Sequence, residues 1–241
     1  MYKALLLDLD ETLCDTTGAN NQALQAMAQQ ARSLFPTIDD SQFAQRYLSG
    51  IYRQFSEQQR ARYLPIDDEG AFRLQLIADI LQQMGQTQPA RDTAQRLQHS
   101  FDQTRSQRFD FFPGIKAKLA QWRQHYTLVV ITNGPVFSQQ AKVDIVALPD
   151  HVDHILIGGQ EPEQKPAVSI FHKALSLAQC EAHEALHVGD SLSADIAGAN
   201  ASGIASLWIS HGTVNDTEHT PTHAVTTPAE FAAYIDALPR R

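Results

Sequence analysis

Two aspartates, Asp8 and Asp10, stand two positions apart where the apolar run from Lys3 to Leu9 gives out. Held about 4 Å apart at an effective dielectric of 20, two such charges repel by roughly 4 kcal/mol, so a purely structural loop gains nothing from keeping them close. A division of labour, one carboxyl charged and the other retaining a proton, would turn the crowding to use. Three further polar clusters follow: Thr132, Asn133 and Gly134 in "ITNG", Lys165 in "EQKPAVSIF", and Asp190 with Asp195 in "GDSLSAD". Taken singly, each has a plainer reading. Asp-x-Asp makes turns and caps, Asn-Gly is a common turn dipeptide, and a lone lysine is a surface lysine. Asp190, Ser191 and Asp195 would also suit the cap and first turn of a helix. Thr12 either orients the first cluster through its hydroxyl or caps the segment after it.

These clusters sit where short apolar runs end. Runs over Lys3 to Leu9, Tyr126 to Gly134, Asp153 to Gly159, Ala185 to Ser191 and Ala205 to Ser210 are leucine-rich or β-branched. Continuous apolar runs suit strands buried on both faces. Helical patterns lie between and after them: Gly114 to His125, Ala167 to Ala178, Ser193 to Gly203, and "PAEFAAYIDAL" near the end. Alternating strand and helix predicts an α/β, doubly wound, Rossmann-like parallel sheet. In such sheets ligands gather outside the carboxyl ends of the strands, where the clusters fall. Pro166, directly after Lys165, suits the first turn of a helix.

Residues 15–110 have another texture. "ANNQALQAMAQQARSLF", "SQFAQRYLSGIYRQF", "EGAFRLQLIADILQQMG" and "ARDTAQRLQHSFDQTRSQ" return apolar residues at three- and four-residue intervals, the spacing of amphipathic helices. An all-helical insert is expected, splitting a core of residues 1–14 and 111–241. A crossover of roughly 95 residues far exceeds the dozen or so a parallel connection needs, so it reads as a cap domain. Its aromatic and arginine residues read mostly as packing and solvated helix face.

Composition excludes several classes. The 241 residues carry a net charge of −8, with arginines scattered among glutamines and acids, so no basic patch for nucleic acid is expected. Two cysteines, Cys14 and Cys180, make no disulfide framework, and no window of 18 apolar residues exists. A cytoplasmic protein away from the membrane is expected. The ten histidines read as scattered: His183 and His187, or His151 and His154, share no helical face and lack a third ligand.

In order, "LDLDETLCDTTGAN", "ITNGP", "IGGQEPEQKPAVSIF" and "VGDSLSADIAGANASGIASLWI" resemble the four motifs of the haloacid dehalogenase superfamily, and the resemblance covers the whole chain. It is nearest to members with a helical cap after the first motif, the N-acylneuraminate-9-phosphatase-like and pyrimidine 5′-nucleotidase-like branches. The resemblance implies that Asp8 is a nucleophile forming an aspartyl phosphate and that Asp10 is the general acid/base, its proton retained near neutral pH. It implies Mg2+ held by the Asp8 carboxylate, the Asp10 carbonyl and the Asp190 carboxylate, with Asp195 auxiliary. Thr132, the Asn133 N–H and Lys165 would bind substrate phosphate, aided by a helix amino terminus after Pro166. The need is large: phosphate monoesters require up to ~10²¹-fold acceleration, and positioned acid/base groups alone supply about 10² to 10⁴. The expected activity is hydrolysis of a small soluble phosphomonoester, a sugar phosphate or nucleotide, by a monomer or homodimer. A phosphomutase, a 2-haloacid dehalogenase and a non-catalytic phosphate-sensing protein are the alternatives.

Overall fold

A computed structural model describes residues 1–86 and 91–239. The chain divides into two compact units, Met1–Thr16 with Phe109–Arg241, and Thr17–Arg108.

The first unit is built on six parallel strands, β1 (Ala4–Leu7), β2 (Thr127–Thr132), β3 (His154–Ile157), β4 (Ala185–Gly189), β5 (Ala205–Ile209) and β6 (His223–Val225). Their spatial order is β3-β2-β1-β4-β5-β6, so the order reverses beside β1. β1 reads "ALLL" and is buried throughout, because helices cover both faces. On one face Leu6, Val129 and Ile131 pack with Ile170, Phe171 and Ala174 of α8 (Val168–Ala178) and with Ala199 of α9 (Ala197–Ala201). Leu5 and Leu7 alternate to the other face. There α6 (Ile115–Trp122) meets α10 (Pro228–Asp236) through the rings of Trp122 and Phe231, tilted at 57° with centroids 5.2 Å apart. The indole N–H of Trp122 donates to Asp236, fixing the pair.

Five expected strands and four expected helical patterns therefore recur, with shorter ends. Three differences matter. α7 (Val136–Ile145) was not anticipated, because "VFSQQAKVDI" has no clean apolar stripe. The helix after Lys165 starts at Val168 rather than at Pro166, and the Lys165–Pro166 peptide is cis. The segment after β4 begins as a π-helical turn, Leu192–Ile196, before α9.

The second unit is all helical: α1 (Thr16–Leu34, its first residue belonging to the other unit), α2 (Asp40–Ile51), α3 (Glu57–Tyr63), α4 (Glu69–Gln83) and α5 (Arg91–Arg108). The expected start of the last segment, Ala90, lies outside the described residues. Met27, Phe43, Tyr47, Phe72, Leu97 and Phe101 form a core of its own. Gly50 is required where α2 crosses α4, since a Cβ there would lie 2.4 Å from a Leu76 methyl. α3 opens with a capping box, Ser56 and Gln59 satisfying each other's backbone N–H groups.

Asp79 on α4 ties this unit together. It accepts from the Arg62 guanidinium, from the buried Tyr63 hydroxyl at 2.8 Å and from Gln75 at 2.8 Å. Burial alone would raise its pKa, but those donors outweigh burial and hold it below the ordinary 3.8. Its stabilisation is therefore complete above the unfolded value and fades as pH falls through the lower folded one. Asp79→Ala, which leaves the Tyr63 hydroxyl without its acceptor, should cost about 2 kcal/mol at neutral pH. Thermal melts should show that deficit at pH 7 and one that shrinks as the pH is taken below the ordinary 3.8; an equal melting point at pH 7 would refute the role.

Candidate active site

Strand register assembles the site. Leu7 lies opposite Val130 on one side and Val188 on the other, and the Asp8 N–H donates to the Val188 carbonyl at 2.9 Å. The residues just past the ends of β1, β2 and β4 are thereby gathered along one edge of the sheet, at its reversal. Beyond Asp8 the chain turns tightly. The N–H groups of Leu13 and Cys14 both donate to the Leu9 carbonyl, and Glu11 takes a left-handed φ of 56°. The Phe112 N–H donates back to the Leu13 carbonyl where the chain returns from the helical unit.

Asp8, Asp190 and Asp195 place carboxylate oxygens within 4.8 Å of one another. Lys165 enters this group from the loop before α8. Its ammonium lies 2.5 Å from Asp8 Oδ1 and 2.7 Å from Asp195 Oδ1, and only 5% of the residue is exposed. The loop is set by a reciprocal pair: the Asn133 side chain donates to the Lys165 carbonyl at 2.8 Å and accepts from the Lys165 N–H at 2.9 Å. Gln164 adds a third link by accepting from the Gly134 N–H. Gly198 lets α9 approach closely, because a Cβ there would meet the Phe171 ring at 2.2 Å and the Pro166 Cα at 3.0 Å.

Asp195 is saturated. Oδ1 receives Lys165 and His187 Nε2 at 2.9 Å, and Oδ2 receives the Ser191 N–H at 3.0 Å. Room for it comes from Gly189, where a Cβ would sit 2.2 Å from Asp195 Cγ. Ser191 caps the turn that carries Asp195 by accepting from the Ala194 N–H, so the capping alternative holds for that serine. The Asp190 carbonyl accepts from the Trp208 indole at 2.7 Å.

The charges are uneven. Burial pushes Asp8 well above the ordinary carboxylate range, against the pull of Lys165 and with the push of the neighbouring acids. Burial, then the negative charge of Asp195, raises Asp190 to about 7. Asp195 stays far below the usual range, because Lys165 and His187 outweigh its burial. Lys165 is itself held charged by Asp195 and Asp8 in spite of burial. His187, wholly buried, is shifted down by desolvation and is neutral. Oxygen donors this close form a donor set that suits a hard divalent cation.

Asp10 departs from expectation. Its carboxylate turns to α7, where Lys142 Nζ lies 2.7 and 2.6 Å from its two oxygens and Gln139 Nε2 donates at 3.3 Å. The Thr16 hydroxyl donates to it as well. Burial favours the neutral acid, but the Lys142 charge and these bonds prevail and lower its pKa. A proton held near neutral pH in the free protein is thus corrected: this surrounding favours the carboxylate. Thr132, 1% exposed, gives its hydroxyl hydrogen to Gln139 Oε1 at 3.1 Å. The buried Thr12 hydroxyl has no hydrogen-bond partner among the described residues.

Asp8, Lys165, Asp190 and Asp195 are thus in one group, with Asp10 and Thr132 joined through Gln139. Lys142, Gln139, Thr16 and His187 were not singled out for the site by sequence; only the polarity of "QQAK" on an unrecognised helix hinted at the first two.

Comparison with known proteins agrees with this architecture. The rat N-acylneuraminate-9-phosphatase is 26% identical over 239 residues, covering 98% of this chain and 94% of that protein. The pyrimidine 5′-nucleotidase of Streptococcus pneumoniae is 26% identical, covering 93% and 91%. Among solved structures, the magnesium-bound HAD-hydrolase YfnB of Bacillus subtilis superposes with a TM-score of 0.68 at 22% identity, over 98% of this chain and 99% of that one. The family model of the haloacid dehalogenase-like hydrolases matches residues 2–203, and with the strand order and the four motif positions brought to one sheet edge, the chain belongs to that family of hydrolases.

Proposed function

We propose that this hydrolase is a magnesium-dependent phosphatase that cleaves small phosphomonoesters through an aspartyl phosphate on Asp8. The observation that carries the reading is the contact of a buried ammonium, Lys165, with Asp8 at the reversal point of the sheet. A nucleophilic carboxylate must be ionised, and a cation at hydrogen-bond distance favours that form. Full-length likeness to a sugar-acid phosphatase and to a nucleotidase supports a phosphorylated metabolite as substrate.

In this mechanism one Asp8 oxygen attacks phosphorus while the ester P–O bond breaks, and the leaving oxygen takes a proton from Asp10. Water then gives a proton to Asp10 and displaces Asp8 from phosphorus, restoring both side chains. Asp10 takes its first proton from solvent water as the substrate docks, because the phosphoryl charge disfavours a second anion beside it. Lys165, the Thr132 hydroxyl and the Asn133 N–H face the phosphoryl oxygens. Asp8, Asp190 and the Asp10 carbonyl would hold Mg2+, with Asp195 acting through Lys165. Bound there, the ion would offset the negative charge of the phosphoryl group. The helical unit, in the notional bounds 15–110, serves as the cap that selects the leaving group. No helix of the described residues is long and apolar enough to cross a membrane, and the reading places a monomer or homodimer in the cytoplasm.

Two measurements test this. Phosphate release from a panel of sugar phosphates and nucleotides should require magnesium, stop in chelator, fall to background in Asp8→Asn and drop at least about 10²-fold in Lys165→Ala; full turnover by Asp8→Asn would refute the nucleophile. Hydrolysis in ¹⁸O-water should label the released phosphate and leave Asp8 unlabelled, since water attacks phosphorus. Label in the Asp8 carboxyl would instead mean attack at the carboxyl carbon, the outcome for an ester intermediate of the dehalogenase kind.

A further inference from the structure

Gln139 and Lys142 of α7 lie outside the four motifs, yet both are buried against Asp10, at 5% and 6% exposed. Three residues apart, they present one helical face. Lys142 spans both Asp10 oxygens, which fixes the plane of that carboxyl. Gln139 bridges the remaining gap. A carboxylate only accepts, so the amide N–H₂ must face Asp10 and the amide oxygen must face the Thr132 hydroxyl, as observed. Gly134, with φ of 122°, leaves the space for this side chain, since a Cβ there would lie 2.8 Å from Gln139 Nε2.

We propose that Lys142 and Gln139 are positioning residues for Asp10, and that Gln139 links the proton-transfer carboxyl to the phosphate-contacting Thr132. This rests on the phosphatase reading above. In the free protein the Thr132 hydrogen is committed to Gln139 Oε1. A phosphoryl oxygen that takes this hydrogen takes it from Gln139, whose other end bonds Asp10, so substrate arrival is conveyed to the acid/base through one side chain. Lys142 meanwhile keeps the Asp10 carboxyl aimed, so that its proton reaches the leaving oxygen as the P–O bond breaks.

The readout is leaving-group dependence. An alkoxide needs a proton to depart, whereas p-nitrophenolate does not, and kcat/KM reports the first bond cleavage for both. Lys142→Met should lower kcat/KM about tenfold or more on an alkyl phosphate substrate and less than about threefold on p-nitrophenyl phosphate, with Lys142→Arg restoring part of the loss. Gln139→Leu should show the same selectivity and in addition strengthen inhibition by inorganic phosphate, because the Thr132 hydrogen is no longer committed to the amide, whereas Lys142→Met should leave that inhibition within about twofold. Equal losses on both esters in both variants would mean a merely structural role and would overturn the inference alone, as would unchanged kinetics. Wild-type protein that releases phosphate from neither ester would overturn the phosphatase reading itself, and the inference with it.

Discussion

A lysine ammonium almost stripped of water holds this site together. Lys165 touches Asp8 and Asp195 at once, and without it their carboxylates would face each other and Asp190 in a buried group. Removing one partner of a buried ion pair typically costs about 3–5 kcal/mol, because the other charge is left uncompensated. The second lysine, Lys142, repeats the device on Asp10. Each member of the Asp-x-Asp pair thus has its own cation, which explains how two like charges are tolerated two residues apart. Four carboxylates against two ammonium groups leave two negative charges when all are ionised. That surplus is what a divalent ion would balance; burial and the neighbouring acids raise Asp8 and Asp190.

The sheet makes this arrangement possible, and small residues make it tight. Parallel pairing of β1 with β2 and β4 delivers Asp8, Thr132 and Asp190 to one edge. Gly189 and Gly198 then admit Asp195 and the Pro166 segment to distances no side chain would permit. Asn133 uses its side chain to clamp the Lys165 backbone. His187 does comparable service from inside β4: neutral and buried against the Phe171 ring at 5.0 Å, it holds Asp195 from below.

How much of this was legible depended on whether the signal was local. Asp8, Thr132 and Asp190 could be found because each ends an apolar run, and a strand end is a position that sequence alone marks. Lys165 and Asp195 came from likeness to a known motif, since nothing local distinguishes a buried lysine from a surface one. Lys142 and Gln139 stayed hidden because their role exists only once the fold turns that face of α7 toward Asp10, and α7 itself buries polar residues where an amphipathic helix would bury apolar ones. His187 was read as a scattered strand residue because its partner lies eight residues on, beyond a turn. β6 escaped because "HAV" is short and largely exposed. α3 was missed although Ser56 and Gln59 spell a capping box, the one omitted element whose signal was in plain view. The Asp10 protonation went astray for a related reason: a neighbouring acid was visible in the sequence, and the lysine that outweighs it was not.

The most direct trial of the account is to quench the magnesium-loaded enzyme during turnover of a ³²P-labelled phosphomonoester and map the protein-bound label by peptide. The account predicts an acid-stable, base-labile acyl phosphate on the peptide containing Asp8, present in the wild-type chain and missing from Asp8→Asn. Steady phosphate release with no label on that peptide at any quench time, or label on another residue, would contradict it.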